Sequence, residues 1–217
     1  MVLSVRRLAD ILEALNRHFP NLQRVSSYCL PRNLKNKSVA ELATLRALKL
    51  DLLYVGAETG DDHLLTLVRK GETQASTIDA LLKIKSAGIR SSVMILNGLG
   101  GKAYSRQHAL HSADLVNATQ PEYLSTLVVS FPRGQRRLLE HFPDFQELTQ
   151  SELFLEMKWF IERTRLTSSV FRSDHASNYL VLKGILGRDK QSLLDRIEHA
   201  LALPGEAGLR KEWQRGL

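Results

Sequence analysis

The sequence predicts an α/β fold in which parallel strands are covered by helices. Helix and strand signals alternate from the N-terminus to Phe131. The strand-like segments are continuous apolar runs, not the polar–apolar alternation of a half-exposed sheet. Three of the four predicted βα loops are rich in glycine or charge, and in such sheets ligands gather at those loops.

Each element has a local cause. Ser4 caps a helix whose Val5, Leu8, Leu12 and Leu15 recur at helical spacing, and Pro20 marks its end. Val25 to Leu30 reads as a strand. Ser38 and Glu41 form a capping box for a helix running to about Lys49. Leu52 to Gly56 is a buried strand. Asp61 and Asp62 suit the positive end of a short helix stopped by Gly71. A helix through Ile78, Leu81, Leu82 and Ile84 ends at Gly88, and Ser92 to Leu96 is the third strand. Ser105 opens a helix that ends before Pro121, and Tyr123 to Phe131 is the fourth strand. The predicted loops are Pro31–Lys37, Ala57–Asp62, Asn97–Tyr104 and Pro132–Gln135.

After Phe142 the character changes. Thr149 and Glu152 form a second capping box, opening a helix through Leu153, Met157, Phe160 and Ile161. Phe171 to Tyr179 is polar and irregular. A last helix holds Leu193, Leu194, Ile197 and Leu201, and the tail beyond Pro204 reads as frayed. The expected division is a partial barrel over residues 1–145 and a helical C-terminal extension over 146–217.

Composition narrows the function classes. The 217 residues are 43% hydrophobic and 24% charged, ordinary for a soluble globular protein. No run approaches a membrane span, and no signal peptide is evident, so a cytoplasmic location is expected. A single cysteine, Cys29, excludes a disulfide framework and any multi-cysteine metal site within this sequence. It reads as a small buried core residue. The net charge is +7, and residues 1–50 hold nine basic residues against three acids. Such a face attracts nucleic acid or an anionic substrate, with Arg32, Lys35 and Lys37 nearest a strand end, and it equally suits a solvated surface. His108, His111 and Asp114 share a helical face at metal-ligand spacing, and Asp61-Asp62-His63 offers a cation site, but a surface helix and a helix N-terminus explain them as well. No hydrolase triad motif, P-loop or Rossmann fingerprint is present.

The most informative segment is Tyr54-Val55-Gly56-Ala57-Glu58-Thr59-Gly60, followed by Leu67-Val68-Arg69-Lys70-Gly71. Next come Gly88-Ile89, then Val93-Met94-Ile95-Leu96-Asn97-Gly98-Leu99-Gly100-Gly101. Ser105-Arg106-Gln107-His108-Ala109 and Pro121-Glu122-Tyr123-Leu124 follow. In order and spacing, Val25 to Phe131 resembles strands three to six of the radical SAM barrel. The resemblance implies a partial parallel (β/α) barrel that binds S-adenosylmethionine. Glu58 would accept hydrogen bonds from the ribose hydroxyls or the amine. Lys70, twelve residues on, would pair with the methionyl carboxylate, with Arg69 as a substitute. Asn97, Gly98, Gly100 and Gly101 would let the backbone approach the cofactor, and Val129–Phe131 would flank the adenine. Met94 is apolar where some members carry an acid. Read on their own, Glu58 and Lys70 also fit a surface ion pair, and the glycines a plain turn.

Phe171 to Tyr179 resembles an "FRSxHASNY" element found after the barrel in one group of these proteins. It implies that Arg172, Asp174, His175 and Asn178 reach over the barrel mouth to substrate; a self-bonded turn fits as well. The family's CxxxCxxC loop, which ligates a [4Fe-4S] cluster through thiolates, has no counterpart here. The resemblance therefore implies a truncated or split radical SAM enzyme, with the cluster and the radical chemistry belonging to a completed protein. A missing N-terminal half or a partner would cover the open strand edge. A non-catalytic SAM-binding scaffold and a basic nucleic-acid-binding module are the alternatives.

Overall fold

The computed structural model describes residues 1–131 and 134–215. Helices α1 (Val5–His18), α2 (Val39–Ala47), α3 (Asp62–Leu67), α4 (Gln74–Ser86) and α5 (Gly101–Thr119) alternate with strands β1 (Val25–Cys29), β2 (Leu50–Glu58), β3 (Arg90–Asn97) and β4 (Tyr123–Val128). The short α6 (Arg136–Leu139) and α7 (Gln150–Arg163) follow. Strands β5 (Val170–Ser173) and β6 (Leu182–Ile185) then precede α8 (Lys190–Ala202). The predicted loop at Pro132–Gln135 lies partly outside the described residues, since Pro132 and Arg133 are not among them.

The strands form one sheet in the order β1-β2-β3-β4-β5-β6. The first five are parallel, and β6 returns antiparallel to β5. The result is an open sheet with the architecture of a partial barrel. The expected caps are in place: Ser4, Ser38 and Thr149 each accept a hydrogen bond from a first-turn amide, the latter two in reciprocal boxes with Glu41 and Glu152.

Helix residues pack against one face of the sheet, through Leu53 and Val55 of β2, Val93 and Ile95 of β3, Leu124 of β4 and Phe171 of β5. The alternate residues point the other way. Registered neighbours share a face, so Tyr28, Tyr54, Ser92 and Tyr123 form one row across it. Gly56, Met94, Ser125, Arg172 and Lys183 form the next row. This second face is not sealed by helices. Tyr28 is 76% exposed, and Tyr54, Met94 and Ser125 are half-buried.

Four expectations need correction. Residues 146–217 are not only helical, because the polar stretch at Phe171 supplies β5 and a partner strand follows. Its alternation is masked by Arg172, which faces away from the helices while Phe171 and Ser173 are buried. Helix α5 begins at Gly101, so Ser105 lies inside it. Strand β2 extends to Leu50 and Glu58, since the charge of buried Asp51 is paired with Arg46 and Arg90. The tail is not frayed up to Arg215: Arg210 donates to the carbonyls of His175 and Asn178, and Arg215 donates to that of Ser177.

Candidate functional site

Glu58 ends β2 in a conformation the strand does not require. The β2–β3 register slips between Gly56 and Glu58, leaving Ala57 as the extra residue of a bulge. Glu58 itself has φ +66°, a left-handed conformation that costs a non-glycine residue about 1–2 kcal/mol. The bulge turns its side chain back over Gly56 on the open face. A Cβ on Gly56 would lie 2.4 Å from Glu58 Oε1, so a larger residue there would displace the carboxylate from this position.

Lys70 closes the arrangement. Its ammonium donates to Glu58 Oε1 at 2.7 Å, with the two side chains 17% and 22% exposed. The contact leaves the second carboxylate oxygen and further ammonium hydrogens for a ligand. Lys70 is itself held from behind. The Arg32 guanidinium donates to its carbonyl and pairs with Glu72 at 2.9 Å. Arg69 does not join the pair; its guanidinium donates to His141 Nε2 at 3.1 Å. Thus the two residues matched at twelve-residue spacing meet at the carboxyl end of β2 on the open face.

The glycine loop after β3 approaches its own chain. Gly98 has φ +87°, and a Cβ there would press on Leu153 and Val129. Gly100 packs on the Tyr104 backbone, and Gly101 on Phe145 and Gln146. Asn97 donates to the Leu153 carbonyl and accepts at its own carbonyl from Val129 N–H. The space between Gly98, Val129, Tyr179 and Arg215 is about 50 Å³, room for a water or two but not for an adenosine. A ligand of cofactor size does not fit in that space.

Beneath this loop is a buried polar network that the sequence reading missed. Glu156 of α7, 1% exposed, accepts from Gly98 N–H and from Ser105 Oγ–H, both at 2.6 Å. Burial pushes its carboxyl up to about 7, against the pull of those two hydrogen bonds. His108 of α5, also buried, lies 3.8 Å from Glu156 through Nε2 and 2.8 Å from Thr59 Oγ1 through Nδ1. Burial holds its imidazole down at about 4, so the ring is neutral near pH 7. One signal was available: Glu156 falls at helical spacing between the apolar Leu153 and Phe160, so an acid faces the core. Asp61 sits alongside, accepting from Leu64 N–H, Gln107 and His111. Burial raises its carboxyl, but those bonds together hold it below the usual carboxylate range.

The polar segment after β5 divides by role. Asn178 is buried and bonds β4 as a strand would, donating to the Thr126 carbonyl at 2.8 Å and accepting from Val128 N–H at 2.9 Å. His175 bonds Ser177 within a self-bonded turn. Asp174 pairs with Lys183 at 2.9 Å. Arg172 is exposed on the open sheet face and has no carboxylate partner among the described residues.

The metal candidates disperse. His111 is tied to Asp61 and Asp114 to Arg163, and among the described residues no group of three ligating side chains could hold a metal ion. Cys29 is buried, its thiol pushed up to about 11 by burial, as a core residue. Among the described residues there is thus no donor set for an iron–sulfur cluster. Two of the three basic residues singled out near β1 are engaged internally: Arg32 with Glu72, and Lys37 with the Met1 and Asn33 carbonyls. Among the described residues no helix is long and apolar enough to cross a membrane.

No family model matches the chain, and no curated protein matches it. Its structure is similar to solved radical SAM enzymes. One is the archaeal Methanocaldococcus infernus Elp3, at TM-score 0.58 and 13% identity, over 93% of this chain and 52% of that one. Another is methylornithine synthase (PylB), at TM-score 0.52 and 16% identity, over 74% of this chain and 44% of that one. The chain therefore spans about half the length of these structures. At such identities the likeness establishes the fold alone: an open, mostly parallel α/β sheet with the architecture of a partial barrel.

Proposed function

We propose that this chain carries the SAM-contacting side of a radical SAM enzyme, with Glu58 and Lys70 as its principal contacts. The observation that supports the reading best is the Glu58–Lys70 pair. A carboxylate and an ammonium meet at a parallel strand end, on the open face, beside a bulge, a left-handed residue and a glycine whose missing side chain leaves room for the carboxylate. Strained backbone of this kind collects at functional sites. The pair offers an acceptor for ribose hydroxyls or an amine and a donor for a carboxylate, the groups by which SAM is held. When bound, SAM would supply its 5′-deoxyadenosyl group for radical chemistry, the electron for its cleavage coming from the cluster; the residues of this chain would orient it and contribute nothing to the cluster.

The cluster ligands then come from another polypeptide segment. That segment pairs with the free edge of β1 and covers the face bearing Tyr28 and Tyr54. The DNA flanking the coding sequence tests this division. A neighbouring reading frame or upstream segment encoding CxxxCxxC, whose product reconstitutes an iron–sulfur chromophore with this chain, is the expected result. Absence of any such segment overturns the split-enzyme reading and leaves a SAM-binding scaffold.

A further inference from the structure

We infer that Arg172 is the anion anchor of a substrate subsite on the open sheet face. The inference rests on the reading of that face as the reaction side of the barrel. The registers carry the argument. Gly56 pairs Met94, Met94 pairs Ser125, and Ser125 pairs Arg172, so all four stand in one row on one face. Glu58 folds back over the first member of that row. Arg172 lies three strands away, roughly 14 Å along the sheet at ordinary strand spacing. Between them is a floor of Met94 and Ser125, one apolar and one hydroxylic, both half-buried.

The charges on β5 and β6 are otherwise costly. Arg172 is directly opposite Lys183 in the antiparallel pair. Like charges in that position repel. Asp174 neutralises Lys183 at 2.9 Å, and no described carboxylate does the same for Arg172. The guanidinium is exposed and keeps its fork of donors for a planar oxyanion. Asn178, by contrast, spends its amide on the backbone of β4, and His175 ties its Nδ1 to Ser177. Of the charged residues in the Phe171–Tyr179 segment, Arg172 is the one that stands in the open-face row without a carboxylate partner among the described residues, and the substrate it fits carries a carboxylate or phosphate.

The test is nitrogen-15 NMR on the intact chain, titrated at constant ionic strength with inorganic phosphate and, separately, with glutarate. The expected result is a saturable shift of the Arg172 Nε–H signal and of the neighbouring Ser125 amide with at least one of the two; the tighter of them identifies the anion class. Arg172→Met should weaken the response about fivefold or more, and Arg172→Lys should keep part of it. Arg196→Met, on the exposed face of α8, should change nothing. No saturable response, an unchanged response in both Arg172 variants, or an equal shift at Arg196 overturns the inference. SAM titrated in the same samples separates the two readings. An anion response without a SAM response at Glu58 and Lys70 keeps the anchor and removes the SAM site. A SAM response without an anion response does the reverse.

Discussion

Lys70 Nζ donates to Glu58 Oε1 at 2.7 Å, directly over the α-carbon of Gly56. A Cβ at residue 56 would collide with that carboxylate oxygen at 2.4 Å and reach within 3.6 Å of the ammonium. Gly56→Ala should therefore dislodge the pair while leaving the helix-packed core intact. Thermal unfolding should change little, because the atom displaced is the far end of a flexible, partly exposed side chain. SAM binding should fall as far as it does in Glu58→Ala.

Glu156 and His108 set opposing pH dependences. The Glu156 carboxyl is raised to about 7 by burial, so the folded state holds its proton after the unfolded state has released one. Its contribution to stability is full below pH 4.5, the ordinary value of a glutamate carboxyl, and is lost as pH rises through 7. His108 is depressed to about 4, so its contribution is full above pH 6.5 and is lost as pH falls through 4. Between these limits the two slopes oppose. Denaturant unfolding of the wild type should vary weakly from pH 5 to 6.5. Glu156→Gln should unmask a stability that rises over that interval by an amount on the order of 1–3 kcal/mol.

Asn178 replaces two strand hydrogen bonds with one side chain. Asn178→Ala leaves Val128 N–H and the Thr126 carbonyl without their partner, at a cost of about 1–3 kcal/mol. Amide exchange at Val128 should accelerate. Asn178→Asp should cost more, because a carboxylate then faces the Thr126 carbonyl it cannot donate to.

Arg215 clamps the same segment from the tail. Its side chain is 7% exposed, it lies 3.8 Å from the Tyr179 ring centroid, and it donates to the Ser177 carbonyl. Arg215→Ala should cost about 1–2 kcal/mol and expose the segment after Ala202 to limited proteolysis.

Much of the fold was legible because its causes are local. The capping pairs Ser38–Glu41 and Thr149–Glu152 fall where serine or threonine precedes glutamate by three residues. The strands at Leu53 and Val93 are visible as apolar runs because helices cover them. What escaped has long-range causes. Strand β5 is four residues long and carries Arg172 on the open face, so nothing marks it until β4 provides a partner. The role of Asn178 depends on β4, fifty residues away in sequence. The resemblance singled out Glu58 and Lys70 together, and on their own the two also fitted an ion pair, whereas the bulge that aims Glu58 depends on its register against β3. The glycine loop was visible as a place of close approach, but not that Phe145 to Leu153 is what approaches it.

The most direct measurement is titration calorimetry of the intact chain with S-adenosylmethionine, with Glu58→Ala and Lys70→Met in parallel. Saturable binding to the wild type is predicted, weakened in each variant by about 1–3 kcal/mol, or roughly fivefold to 150-fold in Kd. Binding of equal affinity in the wild type and both variants, or none to the wild type, would contradict the assignment of the Glu58–Lys70 pair to the cofactor.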